Sequence, residues 1–301
     1  MEGNCKLGTE TENKVIEVIK SKGLIFDGGM GSMLIKAGLE GGESPEAWNL
    51  TRPDIIQGVH KAYFEAGADV ATTNTFGASA LKLEQIRVTQ TMEEINLAGV
   101  ELARAACSPG QFVAGGMGSI GEMLPPMGSL TEEDAVKAFA DQAGILDRAG
   151  VDFLLVETIF DLNLALAALK GIRSVSEKPV FCTLTFKQMK KGFFTLMGNG
   201  VADSMSALVD AGACVMGANC SMGSDTMVEL AKEIRQSTDT PVMIQPNAGL
   251  PQTREDQSVF YPEDEGFFAD NIKKIKNLGI EIVGGCCGTT PEYIRRVKET
   301  L

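Results

Sequence analysis

Long apolar runs are missing from this chain of 301 residues. None approaches the ~18 residues of a membrane-spanning helix, so no membrane partner of that kind is expected. Basic charge is also in short supply. Lys and Arg number 27 against 40 Asp and Glu, a formal net charge of −13, which argues against nucleic acid or an anionic membrane surface as a partner. The short basic runs at Lys187–Lys191 and Lys273–Lys276 read as solvated faces. Histidine is reduced to one copy, His60, in a helical pattern between Val59 and Lys61, where it reads as structural or solvated. The polar, acid-bearing start Met1–Asn13 lacks the apolar core of a signal peptide. Seven cysteines are an odd number, ill suited to a complete disulfide framework. Together these features predict a cytoplasmic protein.

What the chain does have is 44% hydrophobic residues and 34 glycines, enough for a large core with many tight connections. Eight short apolar runs are expected as strands: Leu24–Gly28, Ala68–Phe76, Gln111–Met117, Val151–Thr158, Pro179–Phe186, Ala213–Cys220, Pro241–Gly249 and Ile280–Gly288. Each is almost continuously apolar, as strands covered on both faces of a parallel sheet must be. Helical patterns follow them at Asp54–Ala66, Ser79–Cys107, Thr131–Ala149, Asp161–Ser176, Ala202–Ala211, Asp225–Ser237, Glu263–Leu278 and Pro291–Leu301. Thr131 supplies a capping hydroxyl before three first-turn acids, and Pro291 fits a first helical turn. Ala66-Gly67, Ala149-Gly150 and Ala211-Gly212 are expected helix stops. Eight strand–helix units predict an α/β fold, a single (β/α)₈ TIM barrel over residues 1–301. An N-terminal helix at Asn13–Lys22 is expected to cover the bottom, with residues 1–12 flexible. The rival, a doubly wound open sheet, would carry a phosphate loop after its first strand. The glycine-rich Asp27–Ser32 lacks the spacing of either nucleotide fingerprint. No linker interrupts the pattern.

The most informative stretch is Ile282–Pro291, in which Cys286 and Cys287 sit between glycines at the end of an apolar run. With Cys220, which ends strand six, they offer three sulfur ligands. Three protein ligands and an open position describe a catalytic zinc, whereas a structural zinc takes four. An inert buried pair and a vicinal disulfide remain alternatives for Cys286-Cys287. The barrel topology favours the metal, since the C-terminal ends of strands six and eight share the active-site face. Cys5, Cys107, Cys182 and Cys214 fall elsewhere and read as packing residues or as cysteines without a role. Asp27, Thr73–Gly77, Glu157-Thr158 and Asn247–Gly249 end other strands on that face. A carboxylate closing an apolar strand is costly unless it meets a cation. For Glu157 the plainer alternative is a helix N-terminal acid or an internal salt bridge, and Asp27 can equally cap its turn.

The chain resembles the homocysteine S-methyltransferase family, and within it the homocysteine-binding module of cobalamin-dependent methionine synthase. The resemblance rests on Asp27–Gly31, Thr73–Gly77, Val156–Thr158, Gly217–Cys220, Pro246–Gly249 and Gly284–Pro291, in order along nearly the whole chain. It implies a barrel S-methyltransferase that makes methionine from homocysteine, with Zn²⁺ on Cys220, Cys286 and Cys287. It further implies Asp27 and Glu157 at the homocysteine amino end, and backbone amides near Gly28, Thr75, Phe76 and Gly77 at its carboxylate. Asn247 resembles a displaceable fourth metal ligand. No residue beyond the metal site is required as a catalytic nucleophile.

The methyl donor is expected to be methylcobalamin or another methylcorrinoid. The chain carries neither a second barrel for folate nor an Asp-x-His-x-x-Gly cobalamin signature. The donor is therefore expected on a corrinoid-carrying protein, or on cobalamin domains outside this chain. A free donor such as S-methylmethionine or betaine is the alternative, and a non-catalytic metal-binding or vicinal-dithiol redox barrel is the alternative of another class. The segment Phe186–Phe194 departs from the family pattern, and reads as an exposed, partly apolar donor-contacting stretch or a loop.

Overall fold

The computed structural model describes residues 10–255 and 259–301. Eight parallel strands form one sheet: Leu24–Ile25, Val70–Thr72, Phe112–Met117, Phe153–Ile159, Val180–Leu184, Val215–Gly223, Val242–Asn247 and Ile282–Val283. They are called strands one to eight below. Each neighbours its successor, and strand one pairs with strand eight. A single parallel bridge, Phe26 to Val70, joins strands one and two and closes the ring. The amide of Asp69 donates to the Ile25 carbonyl at 2.7 Å, and that of Asp27 to the Val70 carbonyl at 3.0 Å, on either side of that bridge. The expected (β/α)₈ barrel is the observed one.

Period-two alternation divides every strand between two cores. Outward residues such as Ile25, Leu154, Met216 and Ile244 pack under the helices. Inward residues Leu24, Phe26, Val70, Phe112, Phe153, Leu155, Phe181, Val215, Met243 and Ile282 fill the barrel. The Phe153 and Phe181 rings stack with centroids 4.2 Å apart, and Phe26 lies against Phe153 at 6.0 Å. Val15, Ile16 and Ile19 of the helix Glu10–Lys22 join the same inner cluster, so this helix plugs the barrel bottom. It begins at Glu10 rather than Asn13. The expected flexible segment 1–12 otherwise lies outside the described residues, as does Cys5.

Further along five of the strands, the inward positions turn polar. Leu155 is followed by Glu157, Phe181 by Thr183, Val70 by Thr72, and Met243 by Gln245, while Asn219 closes the same face of strand six. A polar floor at the C-terminal ends thus lies above an apolar plug. This is the feature of the fold that positions the site.

Several expected elements differ. The helix read over Ser79–Cys107 is two, Ala80–Gln85 and Met92–Ala106. Arg87 turns left-handed between them, with φ 58°, and Thr91 with Glu94 forms a capping box that restarts the helix. Short helices at Met30–Lys36 and Trp48–Thr51 lie where none was expected. The stretch Phe186–Phe194 holds an antiparallel hairpin, Lys187–Met189 with Gly192–Phe194. Phe186 and Phe193 are buried there and Met189 is exposed, so most of its apolar content packs inward. A second hairpin, Gln252–Thr253 with Val259–Phe260, follows strand seven. Cys214 is disulfide-bonded rather than a free packing thiol.

Candidate active site

Strand eight stops at Val283, so Cys286 and Cys287 sit in the loop beyond it rather than at the strand end. That loop is laced between its neighbours. The amide of Gly285 donates to the Asp27 carbonyl at 3.0 Å and that of Cys286 to the Pro246 carbonyl at 2.8 Å, while the Cys287 carbonyl accepts from Ala248 at 3.0 Å. Gly288 then turns left-handed, φ 84°, with its amide on Ser32 Oγ at 2.8 Å. Cys220 arrives differently. It and Ser221 adopt φ 61° and 63°, rare for non-glycine residues, where the register with strand seven shifts between Asn219 and Gly223. This bend departs from the regular strand alternation at Cys220.

All three sulfurs lie within 4.8 Å of one another, with Cys220 Sγ and Cys287 Sγ 3.9 Å apart. A tetrahedral ion with bonds of about 2.3 Å to sulfur needs an edge of about 3.8 Å. The donor set and spacing therefore fit a thiolate-bound metal, and the thiols are free rather than disulfide-linked. Hydrogen bonds from Cys286, Cys287 and Asn247 hold the Cys220 thiol down to about 3. The same shared bonds and burial push Cys287 up to about 11 and Cys286 well above its ordinary value. The shared bonds favour negative charge on the Cys220 sulfur, and a bound metal would favour it on all three.

Beside the cluster lies a cavity of about 760 Å³. Asp27 and Glu157 both line it, and among the described residues neither has a cationic partner. Burial pushes the Asp27 carboxyl up to about 7, against hydrogen bonds from the amide and hydroxyl of Thr72 at 2.7 and 3.2 Å. Burial, then the charges of Asp27 and Cys220, push Glu157 up to about 8. Two such carboxyls await a positive group.

Of the other expected site residues, Gly28 and Phe76 line the cavity, and Phe76 is 37% exposed at its rim. Thr75 does not reach it. It is fully buried, with its hydroxyl donating to the Gly116 carbonyl at 2.7 Å. The amide of Gly77 is already taken by Glu46 Oε1 at 2.8 Å. These two positions brace the wall behind the cavity. Asn247 is buried beside the sulfurs, and its Oδ1 accepts from the Cys287 amide at 3.1 Å, which leaves one lone pair. His60 is fully buried in the helix Pro53–Glu65, away from the site.

The sequence profile of homocysteine S-methyltransferases matches residues 24–301. The chain belongs to the homocysteine S-methyltransferase family. It is 32% identical to the methionine synthase of Mycobacterium leprae (strain TN) over 311 residues, and 33% identical to that of Mycobacterium tuberculosis (strain ATCC 25618 / H37Rv) over 312. Both alignments cover 96% of this chain and 25% of the relative, so the chain spans about a quarter of those proteins. The metallated form of the Escherichia coli homocysteine methyltransferase MmuM shares the fold. Its TM-score is 0.80 at 20% identity, over 95% of this chain and 99% of the other.

Site residues of this family member that sequence reasoning missed come mainly from connections. Tyr261, after the second hairpin, lines the cavity and hydrogen-bonds Cys287; burial and the neighbouring thiolates raise its phenol, keeping it a donor. Ser32 reaches the cavity from the short helix Met30–Lys36, and Glu46 from the turn before Trp48–Thr51. Gln245 and Asn219 belong to the polar floor. Their signal was available, as amide side chains at inward positions of otherwise apolar strands.

Proposed function

We propose that this chain transfers a methyl group to the thiol of homocysteine, giving methionine, with Zn²⁺ as the metal held by Cys220, Cys286 and Cys287. The observation that carries this reading is one cavity joining three convergent thiols to two carboxyls, Asp27 buried and Glu157 half-buried, that lack a cation among the described residues. An amino acid with a side-chain thiol matches both ends. Bound zinc would supply the charge that keeps the substrate sulfur as a nucleophilic thiolate at neutral pH. Asp27 and Glu157 receive the ammonium group, and each sheds its proton as the cation arrives. Gly28 and the neighbouring turn amides face the substrate carboxylate, and Phe76 covers the aliphatic carbons. Asn247, with its free lone pair beside the sulfurs, acts as the displaceable ligand. The substrate sulfur then takes the methyl group while the donor keeps the bonding electron pair.

The donor in this reading is a methylcorrinoid carried by another protein or by domains outside this chain. Two observations support a large donor. The relatives it matches are four times its length, and the cavity rim exposes Ile35, Phe76 and Val259. Exposed apolar side chains ringing one cavity suit a surface that is covered in use. No helix among the described residues is long and apolar enough to cross a membrane.

The experiment is zinc content together with methionine formation from homocysteine, offered methylcobalamin, S-methylmethionine and betaine in parallel. One zinc per chain and chelator-sensitive product from methylcobalamin are expected. Product from S-methylmethionine or betaine alone would replace the corrinoid with a free donor. A metal-free protein with a reversible Cys286–Cys287 disulfide would replace the reading with a redox one.

A further inference from the structure

Asn219 sits on strand six, one residue before Cys220, and is buried. Its amide is fully oriented by its neighbours. Oδ1 accepts from the Thr158 amide at 2.9 Å and from the Thr183 hydroxyl at 2.8 Å. A backbone N–H only donates, so the oxygen must face it and the NH₂ must face the other way. One N–H goes to Thr158 Oγ1 at 2.7 Å. The other side of the NH₂ looks out between two long-range acceptors, Glu157 Oε2 at 3.5 Å and Cys286 Sγ at 3.9 Å.

Thr158 is itself unusual. It is a β-branched residue with φ 60°, at the point where strand four loses register with strand five between Val156 and Ile159. Left-handed backbone at such a residue persists only where its surroundings hold it. Asn219 holds it at both the amide and the hydroxyl. One side chain therefore fastens the bend that carries Glu157 and also touches a sulfur of the metal cluster.

We propose that Asn219 is a positioning residue that couples the amino-end pocket to the sulfur cluster, so that recognition of the substrate ammonium and retention of the metal depend on the same amide. The inference rests on the reading of Glu157 as an ammonium partner. It adds a residue through which the two halves of the site act together. Removing the NH₂ lets Glu157 drift from its aimed position and leaves Cys286 without its neighbouring donor.

The test compares zinc-loaded wild type with Asn219→Asp, which keeps the oxygen and loses the NH₂, and Asn219→Ala, which loses both. Two ligands are used, L-homocysteine and 4-mercaptobutanoate, the same thiol acid without the ammonium. The expected result is a loss of about tenfold or more in the preference for L-homocysteine. Zinc release to a competing chelator, with no substrate present, should accelerate by about tenfold. Combined with Glu157→Gln, the loss of preference should be far from additive. If both ligands weaken equally while zinc release is unchanged, Asn219 only supports the fold and the proposal is overturned. The same holds if either folded variant leaves preference and zinc release at wild-type values. If Glu157→Gln by itself leaves the preference intact, the amino-end reading has failed; if Glu157→Gln abolishes it and the Asn219 variants do not, only the coupling has.

Discussion

At the scale of single residues, the site is built from groups held in costly states. Glu157 shows this most directly. Its raised pKa means that the neutral form is favoured in the folded protein, so its stabilising contribution is complete below about 4.5 and is lost as pH climbs through about 8. In metal-free protein, Glu157→Gln should therefore flatten the fall in Tm between pH 6 and pH 9 while weakening L-homocysteine binding by about tenfold or more. A variant whose Tm follows the wild-type pH curve, with affinity unchanged, would remove Glu157 from the site. Cys287 behaves differently, because it lies in a loop beyond strand eight and outside both cores. Cys287→Ser should lose bound zinc and turnover yet keep a cooperative thermal transition, read by metal analysis and calorimetry on one sample. Retained zinc at wild-type stoichiometry would refute the ligand assignment. That Cys220, Cys286, Cys287, Asp27 and Glu157 gather at one cavity was legible in sequence, because thiols and carboxylates ending apolar runs have few cheap explanations. Thr75 and Gly77 were misplaced, because a motif names neighbours without saying which of them faces the cavity.

At the scale of elements, the strand–helix alternation was readable because strands buried on both faces leave a continuous apolar signal. The capping box at Thr91 was just as local, yet the acidic, helix-compatible sequence around it hid the break before Met92. Strand six carries the sharpest steric demand. A Cβ on Gly217 would lie 1.8 Å from the Met243 carbonyl oxygen of strand seven, a backbone atom that cannot swing aside. Gly217→Ala should therefore push strands six and seven apart, with a stability loss of about 1–3 kcal/mol. Because Asn219 and Cys220 follow on the same strand, zinc affinity should fall with it. Denaturant midpoints and a chelator competition measure the two effects together, and a wild-type midpoint would show that the strands accommodate the methyl group.

At the scale of the whole molecule, an acidic surface and an apolar rim around one cavity separate the solvated faces from the working one. If a corrinoid-bearing partner covers that rim, Val259→Asp should slow methyl transfer from the protein-borne donor by about tenfold while leaving zinc content and transfer from free methylcobalamin unchanged. Equal slowing with both donors would place Val259 in the chemistry rather than in docking. The order of the eight units, the apolar strands and the scarce paired cysteines are local properties, and composition and periodicity alone determined the barrel and pointed to a cysteine cluster able to hold a metal. Which residues meet was decided only in three dimensions. Ring closure at Phe26 and Val70 brings strand one beside strand two, loops beyond the strands bring Tyr261 and Glu46 to the cavity, and the left-handed turns at Thr158 and Cys220 aim the site. Those outcomes depend on contacts between residues far apart in the chain, and on backbone states stable only once such contacts exist, so no local pattern encodes them.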